Sequence, residues 1–179
     1  MKAQIPNRRP IVGVMGSGRE AHRPRAQQVG TWLAQYGYHL LTGGGRGVME
    51  AVSEAFCRVQ SREGLVLAVI PCAAGDPLCR PIPGYPNPWV EIPIFTHLDS
   101  RGKHGGKTMS RNHINVLSSD VVIALPGGGG TSSEIRLALQ YRRPLIAYVE
   151  DQSAIENMPE DVTMTNDFAS VQDFVRANT

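Results

Sequence analysis

The sequence predicts an α/β protein with a doubly wound, mainly parallel β-sheet flanked by helices. Short apolar segments rich in β-branched residues alternate with segments of helical periodicity, which is typical of βαβ units. The strand segments are apolar on both faces, as in parallel sheets that helices cover. Because 179 residues suffice for one core and no internal repeat is visible, we expect one domain over residues 1–179.

Five strands are predicted from runs of aliphatic residues. In chain order these runs read IVGVM, HLLT, LVLAVI, VVIAL and LIAYV, at 11–15, 39–42, 65–70, 121–125 and 145–149. Each run has the ordinary length of a strand. Together they supply a sheet of at least five strands.

Four helices are predicted from residues that share one helical face. Val29 and Leu33 do so in the first helix, and Val52 and Phe56 do so in the second. In the third, RNHINVLSSD, we expect Ile114, Leu117 and Val116 to face the core. The predicted helices are 24–36, 48–59, 111–120 and 132–141.

Residues 71–107 interrupt this alternation and are rich in proline and glycine. Within them, 89–96 could form one extended strand, which Pro93 weakens. A stretch of this length without a helix is more often functional or mobile than a plain connector. The sequence leaves its role open.

Composition excludes several classes of protein. The net charge of +2 is too small to indicate a nucleic-acid-binding face. No apolar stretch approaches the roughly 18 residues of a membrane span, and MKAQIPNRRPIVGVMG lacks the apolar core of a signal peptide. We therefore expect a cytoplasmic protein that binds neither membranes nor nucleic acid.

Cysteine and histidine residues do not indicate a metal site. The three cysteines are Cys57, Cys72 and Cys79, an odd set without CxxC spacing, which we interpret as reduced thiols. His97, His104 and His113 also lack metal-ligand spacing. We expect no metal and no required cofactor.

Three glycine-rich segments follow strands: GSG at 16–18, GGGRG at 43–47 and GGGGT at 127–131. In an open parallel sheet the carboxyl ends of the strands share one edge, where ligands bind. The second and third segments lead directly into helices, whose free N–H groups favour an anion. A phosphate-binding site is the favoured interpretation, and three tight turns without a ligand are the alternative.

Two common phosphate motifs do not fit this chain. Gly16-x-Gly18-x-x-Ala21 matches the dinucleotide fingerprint, but the second strand ends without an acidic residue for the ribose, so NAD is not expected. Gly106-Lys107-Thr108 resembles the end of a P-loop, but no strand immediately precedes it. The first glycine of that motif would also have to be residue 101, which is arginine. We therefore expect no ATPase chemistry.

Two charged residues near the third glycine segment each allow two interpretations. Glu134 could be half of a capping box with Thr131 as the N-cap, or a carboxylate that acts on the sugar of a bound nucleotide. Arg111 could bind a ligand at the edge of the sheet, or it could be a solvated arginine. Spacing alone does not choose between them.

The block RNHINVLSSDVVIALPGGGGTSSE, residues 111–134, resembles the paired signature of the LOG (Lonely Guy) proteins, long mislabelled as possible lysine decarboxylases. Its PGGGGTSSE matches the PGGxGTxxE motif of the family, and LTGGGRGVM is similar to the second glycine loop. The family's catalytic arginine falls on Arg111. The resemblance covers residues 10–149 and implies a Rossmann-like fold and a homo-oligomer, usually a dimer. It also implies a site for a nucleoside 5′-monophosphate, whose N-glycosidic bond LOG enzymes hydrolyse.

Two positions depart from the LOG pattern. LOG enzymes have lysine where this chain has Asn112 and commonly have glutamate where it has Ser133. One cation and one carboxylate are therefore missing from around the expected ribose. With GYPNPWVEIPIFTHL upstream, the chain is more similar to the branch that includes the molybdenum-cofactor carrier proteins, which bind a phosphorylated pterin without converting it.

Two functions from different classes remain. The favoured one is a binding and carrier protein for a phosphorylated pterin or nucleotide, with Arg46 and Arg111 adding charge-assisted hydrogen bonds. The alternative is a phosphoribohydrolase of AMP or cytokinin riboside monophosphate, with Arg111 and Glu134 as catalytic residues. No lysine set supports a decarboxylase. The expected ligand-binding residues are Gly16, Ser17, Gly43, Gly44, Gly45, Arg46, Gly47, Met49, Arg111, Asn112, Gly127, Gly128, Gly129, Gly130, Thr131 and Glu134.

Overall fold

A computed structural model describes residues 8–100, 102–106 and 110–179 and contains a seven-stranded parallel sheet flanked by five helices. The strands are β1 (Ile11–Met15), β2 (His39–Thr42), β3 (Val66–Ile70), β4 (Ile92–Phe95), β5 (Val121–Ala124), β6 (Leu145–Tyr148) and β7 (Met164–Thr165). The helices are α1 (Arg23–Gln35), α2 (Val48–Cys57), α3 (Arg111–Ser118), α4 (Gly129–Gln140) and α5 (Phe168–Ala177). The predicted fold class is confirmed.

The strand order β4-β3-β2-β1-β5-β6-β7 places the reversal of the sheet between β1 and β5. Val12 of β1 pairs with Leu40 of β2 on one side and with Val121 of β5 on the other, and both pairings are parallel. From this centre the chain builds the sheet outward in opposite directions. A crevice therefore opens between the carboxyl ends of β1 and β5, the position where open α/β sheets bind ligands.

Helices cover both faces of the sheet. The larger core packs α1, α2 and α5 against residues such as Val14 and Leu40. The second core packs α3 and α4 against Val122 and Ala124 on the opposite face. Because β5 is buried along its whole length, its run of apolar residues has no alternation.

Most predicted elements are confirmed within two residues, and α4 differs. It begins at Gly129, three residues before the predicted start, because the glycines continue into the helix instead of ending before it. The extended stretch at 89–96 contains only the edge strand β4, where Pro93 is tolerated because one side of an edge strand needs no ladder hydrogen bond.

The predicted core face of α3 is partly wrong. Val116 is buried, but Leu117 is 43% exposed. The helix instead buries Arg111, Asn112 and Asn115, because its inner side faces a polar cavity and not only the apolar core.

Two elements were not predicted. β7 has two residues, too few for a periodicity, whereas α5 has a signal that could have revealed it. Asp167 caps α5 by accepting hydrogen bonds from the backbone N–H groups of Ala169 and Ser170, and Val171 and Val175 are buried at helical spacing. β7 extends the sheet beyond β6, and α5 adds a helix to the larger core.

Some sequence predictions fall outside the described residues. Lys107 and Thr108 of the rejected P-loop match lie there, as do residues 1–7 of the N-terminal segment. In the part of the chain that the structure covers, no helix is long and apolar enough to cross a bilayer. The cysteines Cys57, Cys72 and Cys79 are free thiols.

Candidate functional site

A cavity of about 710 Å³ lies at the carboxyl ends of β1 and β5, a size typical of small-molecule sites. Residues from all three glycine-rich segments line it, so these segments share one edge of the sheet, as the parallel strands predict. The lining residues that the sequence also indicated are Gly16, Ser17, Gly43, Met49, Arg111, Asn112, Gly128, Gly129, Gly130, Thr131 and Glu134.

Other expected ligand-binding residues do not line the cavity. They are Gly44, Gly45, Arg46, Gly47 and Gly127. Arg46 is exposed and lies beside Gly84, so its contact with a ligand stays a prediction. A Cβ atom at any of the four glycines would come closer than 3.0 Å to another residue, so they allow the loops to pack closely.

Seven lining residues were not among the expected ligand-binding residues. They are Val14, Met15, Gly18, Arg19, Tyr85, Gly102 and Glu156. Gly18 belongs to the first glycine segment but was not among the expected ligand-binding residues, and Arg19 directly follows that segment. Tyr85 and Glu156 come from distant segments and carry no motif that points to this site.

Ser17 connects the three glycine-rich segments. Its backbone N–H donates to the carbonyl of Pro126 at 3.0 Å, and its carbonyl accepts from the N–H of Val48 at 2.8 Å. Its hydroxyl accepts from the N–H groups of Arg19 and Glu20. These hydrogen bonds hold the loops at the cavity together.

The N-terminus of α2 is partly occupied by this network. Gly47 is its N-cap and has φ of 66°, a left-handed value that favours glycine. The first N–H of the helix, from Val48, already donates to Ser17. The second glycine segment therefore leaves fewer free N–H groups for an anion than the sequence predicts.

The N-terminus of α4 has backbone N–H groups that no side chain of the described residues caps. Gly128 is the N-cap and no side chain caps the helix, so its first N–H groups, including those of Gly129 and Gly130, have no partner within it. Thr131, in the same turn, is 2% exposed, and its hydroxyl has no hydrogen-bond partner among the described residues. Such a group is costly to bury, and Thr131 lines the cavity together with Gly129 and Gly130.

The capping-box interpretation of Glu134 is wrong. Since α4 starts at Gly129, Thr131 is already inside the first turn and cannot be the N-cap. Glu134 falls one turn later, where its carboxylate cannot reach the N-cap. It is 8% exposed, lines the cavity and accepts a hydrogen bond from Asn115 Nδ2 at 3.2 Å.

The solvated-arginine interpretation of Arg111 is also wrong, because Arg111 is 5% exposed. Its Nη1 donates to the carbonyl of Val69, at the end of β3, at 3.1 Å. A Cβ atom at Gly43 would overlap the guanidinium, so the second glycine segment makes room for this side chain. Its Nε has no partner among the described residues.

Glu134 and Arg111 influence each other electrostatically. Burial raises the pKa of the Glu134 carboxyl above its usual range, while the charge of Arg111 and the hydrogen bond from Asn115 act in the opposite direction. Burial is the largest of the three effects. Glu134 therefore holds a proton more readily than an exposed glutamate does.

The two positions that depart from the LOG pattern differ in placement. Asn112 is 2% exposed and lines the cavity. Ser133 is buried and does not line it, and its hydroxyl has no partner among the described residues. Where the structure describes the chain, no three His, Cys, Asp or Glu side chains gather as metal ligands.

Comparison with known proteins finds one family and several structures. A profile of the SLOG cluster4 family matches residues 9–175. An uncharacterized protein of Archaeoglobus fulgidus is 35% identical over 150 residues, which cover 82% of this chain and 84% of that protein.

Two of the similar solved structures are named for the molybdenum cofactor. The molybdenum cofactor binding protein of Rippkaea orientalis is 30% identical with a TM-score of 0.74, and the match covers 96% of this chain and 98% of that one. The Moco carrier protein of Chlamydomonas reinhardtii is 26% identical with a TM-score of 0.66, and the match covers 95% and 99% of the two chains.

Proposed function

This chain belongs to the SLOG cluster4 family, and from that membership we propose that it binds and carries a phosphorylated small molecule, specifically a molybdenum-cofactor species. The observation that carries the proposal is that Thr131, which lines the cavity, has a buried hydroxyl with no partner in the described chain. It lies in the first turn of α4, where free N–H groups and the helix dipole favour a phosphate.

Arg111 supplies a positive charge to the same cavity. Arg111 is buried, and its Nε has no hydrogen-bond partner among the described residues. A charge-assisted hydrogen bond to a phosphate is about twice as strong as a neutral one. Arg111 and the first turn of α4 would together hold the phosphate.

The pterin part of the proposal is supported by two relatives. The Rippkaea orientalis protein is named for binding the molybdenum cofactor, and the Chlamydomonas reinhardtii protein is named as its carrier. The resemblance of 84–98 to the carrier branch agrees with them. For this chain the identity of the ligand is our proposal.

Phosphoribohydrolase activity is the alternative, because Glu134 lines the same cavity near Arg111. Two features favour the carrier. The Glu134 carboxyl is already engaged by Asn115 Nδ2, and burial raises its pKa, so it carries a negative charge less readily than an exposed glutamate. Asn112 brings no charge to the cavity wall, where the LOG enzymes have a lysine.

A binding and turnover experiment separates the two functions. Calorimetry would compare molybdenum cofactor released from a molybdoenzyme with AMP and cytokinin riboside monophosphate, while chromatography detects any released base. We expect the cofactor to bind at micromolar concentration or below, with no base released. Hydrolysis of AMP at roughly 1 s⁻¹ or faster, abolished by Glu134→Ala, would establish the hydrolase instead.

A glycine variant tests the position of the phosphate. A Cβ at Gly128 would approach only the end of the Glu156 side chain, at 3.3 Å, so Gly128→Val should fold. Its side chain would crowd the first turn of α4, and we expect ligand affinity to fall at least tenfold. Gly106→Val is the matched control, since its Cβ would also meet only one side-chain atom, Ser133 Oγ at 3.3 Å, and Gly106 does not line the cavity. Equal affinities in the two variants would place the phosphate elsewhere.

A further inference from the structure

Tyr85 lies in the cavity wall but takes no part in the phosphate site. It belongs to the proline- and glycine-rich stretch 71–107, whose role the sequence leaves open. The residue is half-buried and lines the cavity together with Met49. These two side chains add an aromatic and a thioether surface beside polar lining residues such as Glu134.

Tyr85 is held in place by the loop that carries it. Asn87, which is 4% exposed, donates from its backbone N–H to the carbonyl of Gly44 at 2.8 Å and from Nδ2 to the carbonyl of Gly45 at 2.9 Å. The N–H of Tyr85 donates to the carbonyl of Ile82 at 3.0 Å. The loop is therefore fastened to the second glycine segment by buried hydrogen bonds.

The second glycine segment is shaped to admit the ring. A Cβ atom at Gly45 would lie 2.6 Å from Tyr85 Oη, 2.7 Å from Tyr85 Cζ and 2.9 Å from Met49 Cε. A side chain at this position would displace the ring or the thioether. Gly45 thus acts behind the cavity wall, which explains why it does not line the cavity.

The ring also lies next to the proposed phosphate ligand Arg111, whose Cζ is 5.8 Å from the centroid of Tyr85. This distance is within the range of a cation–π contact. A ligand whose phosphate reaches Arg111 and α4 would bring its remaining atoms close to the Tyr85–Met49 surface. Aromatic faces favour stacking with planar heterocycles.

We propose that Tyr85 is a specificity-determining residue of the cavity, which receives the planar heterocycle of a phosphorylated ligand and selects it against ring-free phosphates. The inference rests on the proposed phosphate-binding function and extends it to the other end of the ligand. Met49 supplies a polarizable contact beside the ring. Arg111 is close to both the phosphate site and the Tyr85 ring, because it lines the cavity and its Cζ lies 5.8 Å from the ring centroid.

The test compares ligands that share a phosphate and differ in the ring. Calorimetry would measure a pterin with a phosphorylated 6-alkyl side chain, AMP and ribose 5-phosphate on wild type, Tyr85→Phe and Tyr85→Leu. We expect Tyr85→Leu to weaken the tighter-binding ring ligand by about tenfold or more, the effect of losing one base–aromatic stack, and ribose 5-phosphate less than twofold. Tyr85→Phe should keep wild-type affinity for the ring ligand and for ribose 5-phosphate.

The controls separate stacking from a structural role. Tyr36→Leu removes a tyrosine that is 56% exposed and outside the cavity lining, and it should leave every affinity unchanged. If Tyr85→Leu weakened all the phosphates equally, the ring would serve only to position Arg111, and the inference would be overturned. The same holds if wild type bound ribose 5-phosphate as tightly as both ring ligands. If wild type bound none of them, the proposed function itself would fail.

Discussion

Thr131 and Glu134 are neighbours on α4, and both are buried polar residues with an incomplete environment. Thr131 has a hydroxyl without a partner in the described chain, and Glu134 has a carboxyl whose pKa burial raises. Native proteins rarely keep such groups, because each costs stability. Their presence in one cavity wall is typical of a site that is completed by a ligand.

Thr131→Val should change stability and affinity in opposite directions. Valine has nearly the same shape and removes the unpaired hydroxyl, so the free energy of unfolding without ligand should rise by about 1 kcal/mol. Phosphate affinity should fall about tenfold, because a hydrogen bond to a charged group is lost. Urea unfolding and calorimetry measure the two quantities.

Thr131→Ser is the matched control, since it keeps the hydroxyl and loses only a methyl group. It should retain most of the affinity and lower the stability. If Thr131→Val bound phosphate as well as wild type, the hydroxyl would have no role in binding.

Glu134 should make the stability depend on pH. Because its folded-state pKa is raised above the ordinary value of 4.5, the folded protein binds the proton more tightly than the unfolded chain does. The stabilising contribution is complete below that value and is lost as the pH rises through the folded pKa. Glu134→Gln should remove this loss, so its free energy of unfolding should fall less than that of wild type above pH 4.5.

Denaturant unfolding at several pH values from 4.5 to neutral tests this difference. Glu160→Gln, at an exposed position, controls for the loss of one negative charge. Parallel profiles for wild type and Glu134→Gln would contradict the raised pKa.

At the scale of elements, the close packing of α1 on α2 depends on Gly30. A Cβ at this position would collide with the carbonyl oxygen of Val52 and lie 3.0 Å from Ala55 Cβ. Contact with backbone cannot be relieved by a side-chain rotation, so the two helices would have to separate. Separating them would disturb the larger core, which contains both helices.

Gly30→Ala should therefore destabilise the protein by about 1–3 kcal/mol, although alanine is the better helix former by roughly 1 kcal/mol. The melting temperature should fall by several degrees in a thermal scan. Gln27→Ala, at an exposed position of the same helix, should leave it nearly unchanged. An equal or higher melting temperature for Gly30→Ala would show that the helices can adjust without cost.

At the scale of the whole molecule, the resemblance to LOG proteins implies a homo-oligomer. Leu78, Phe95 and Leu117 are large apolar side chains that are 74%, 58% and 43% exposed, and a symmetric interface could bury such area. Sedimentation velocity at micromolar concentration should give a mass of twice the 19.5 kDa of one chain. A sedimenting mass of one chain over the whole concentration range would contradict this prediction.

Several parts of the site could be predicted from the sequence. The three glycine segments follow strands, and parallel strands must bring their carboxyl ends to one edge, so the segments meet. Arg111 and Glu134 were indicated by the resemblance. Their burial, the start of α4 at Gly129 and the role of Ser17 in joining the loops were not predictable, because each depends on contacts between segments far apart in the chain.

By itself the sequence determined the fold class, the strand segments and the edge of the sheet where the site lies, because apolar periodicity and glycine turns are local properties. Only the tertiary structure decided which groups in that site are free to bind. The N–H of Val48 donates to the carbonyl of Ser17, 31 positions earlier in the chain, so α2 cannot offer it to a ligand. The first N–H groups of α4 have no capping side chain among the described residues. Tyr85 reaches the cavity because Asn87 is fastened to Gly45, 42 positions earlier, and no local pattern encodes such a contact.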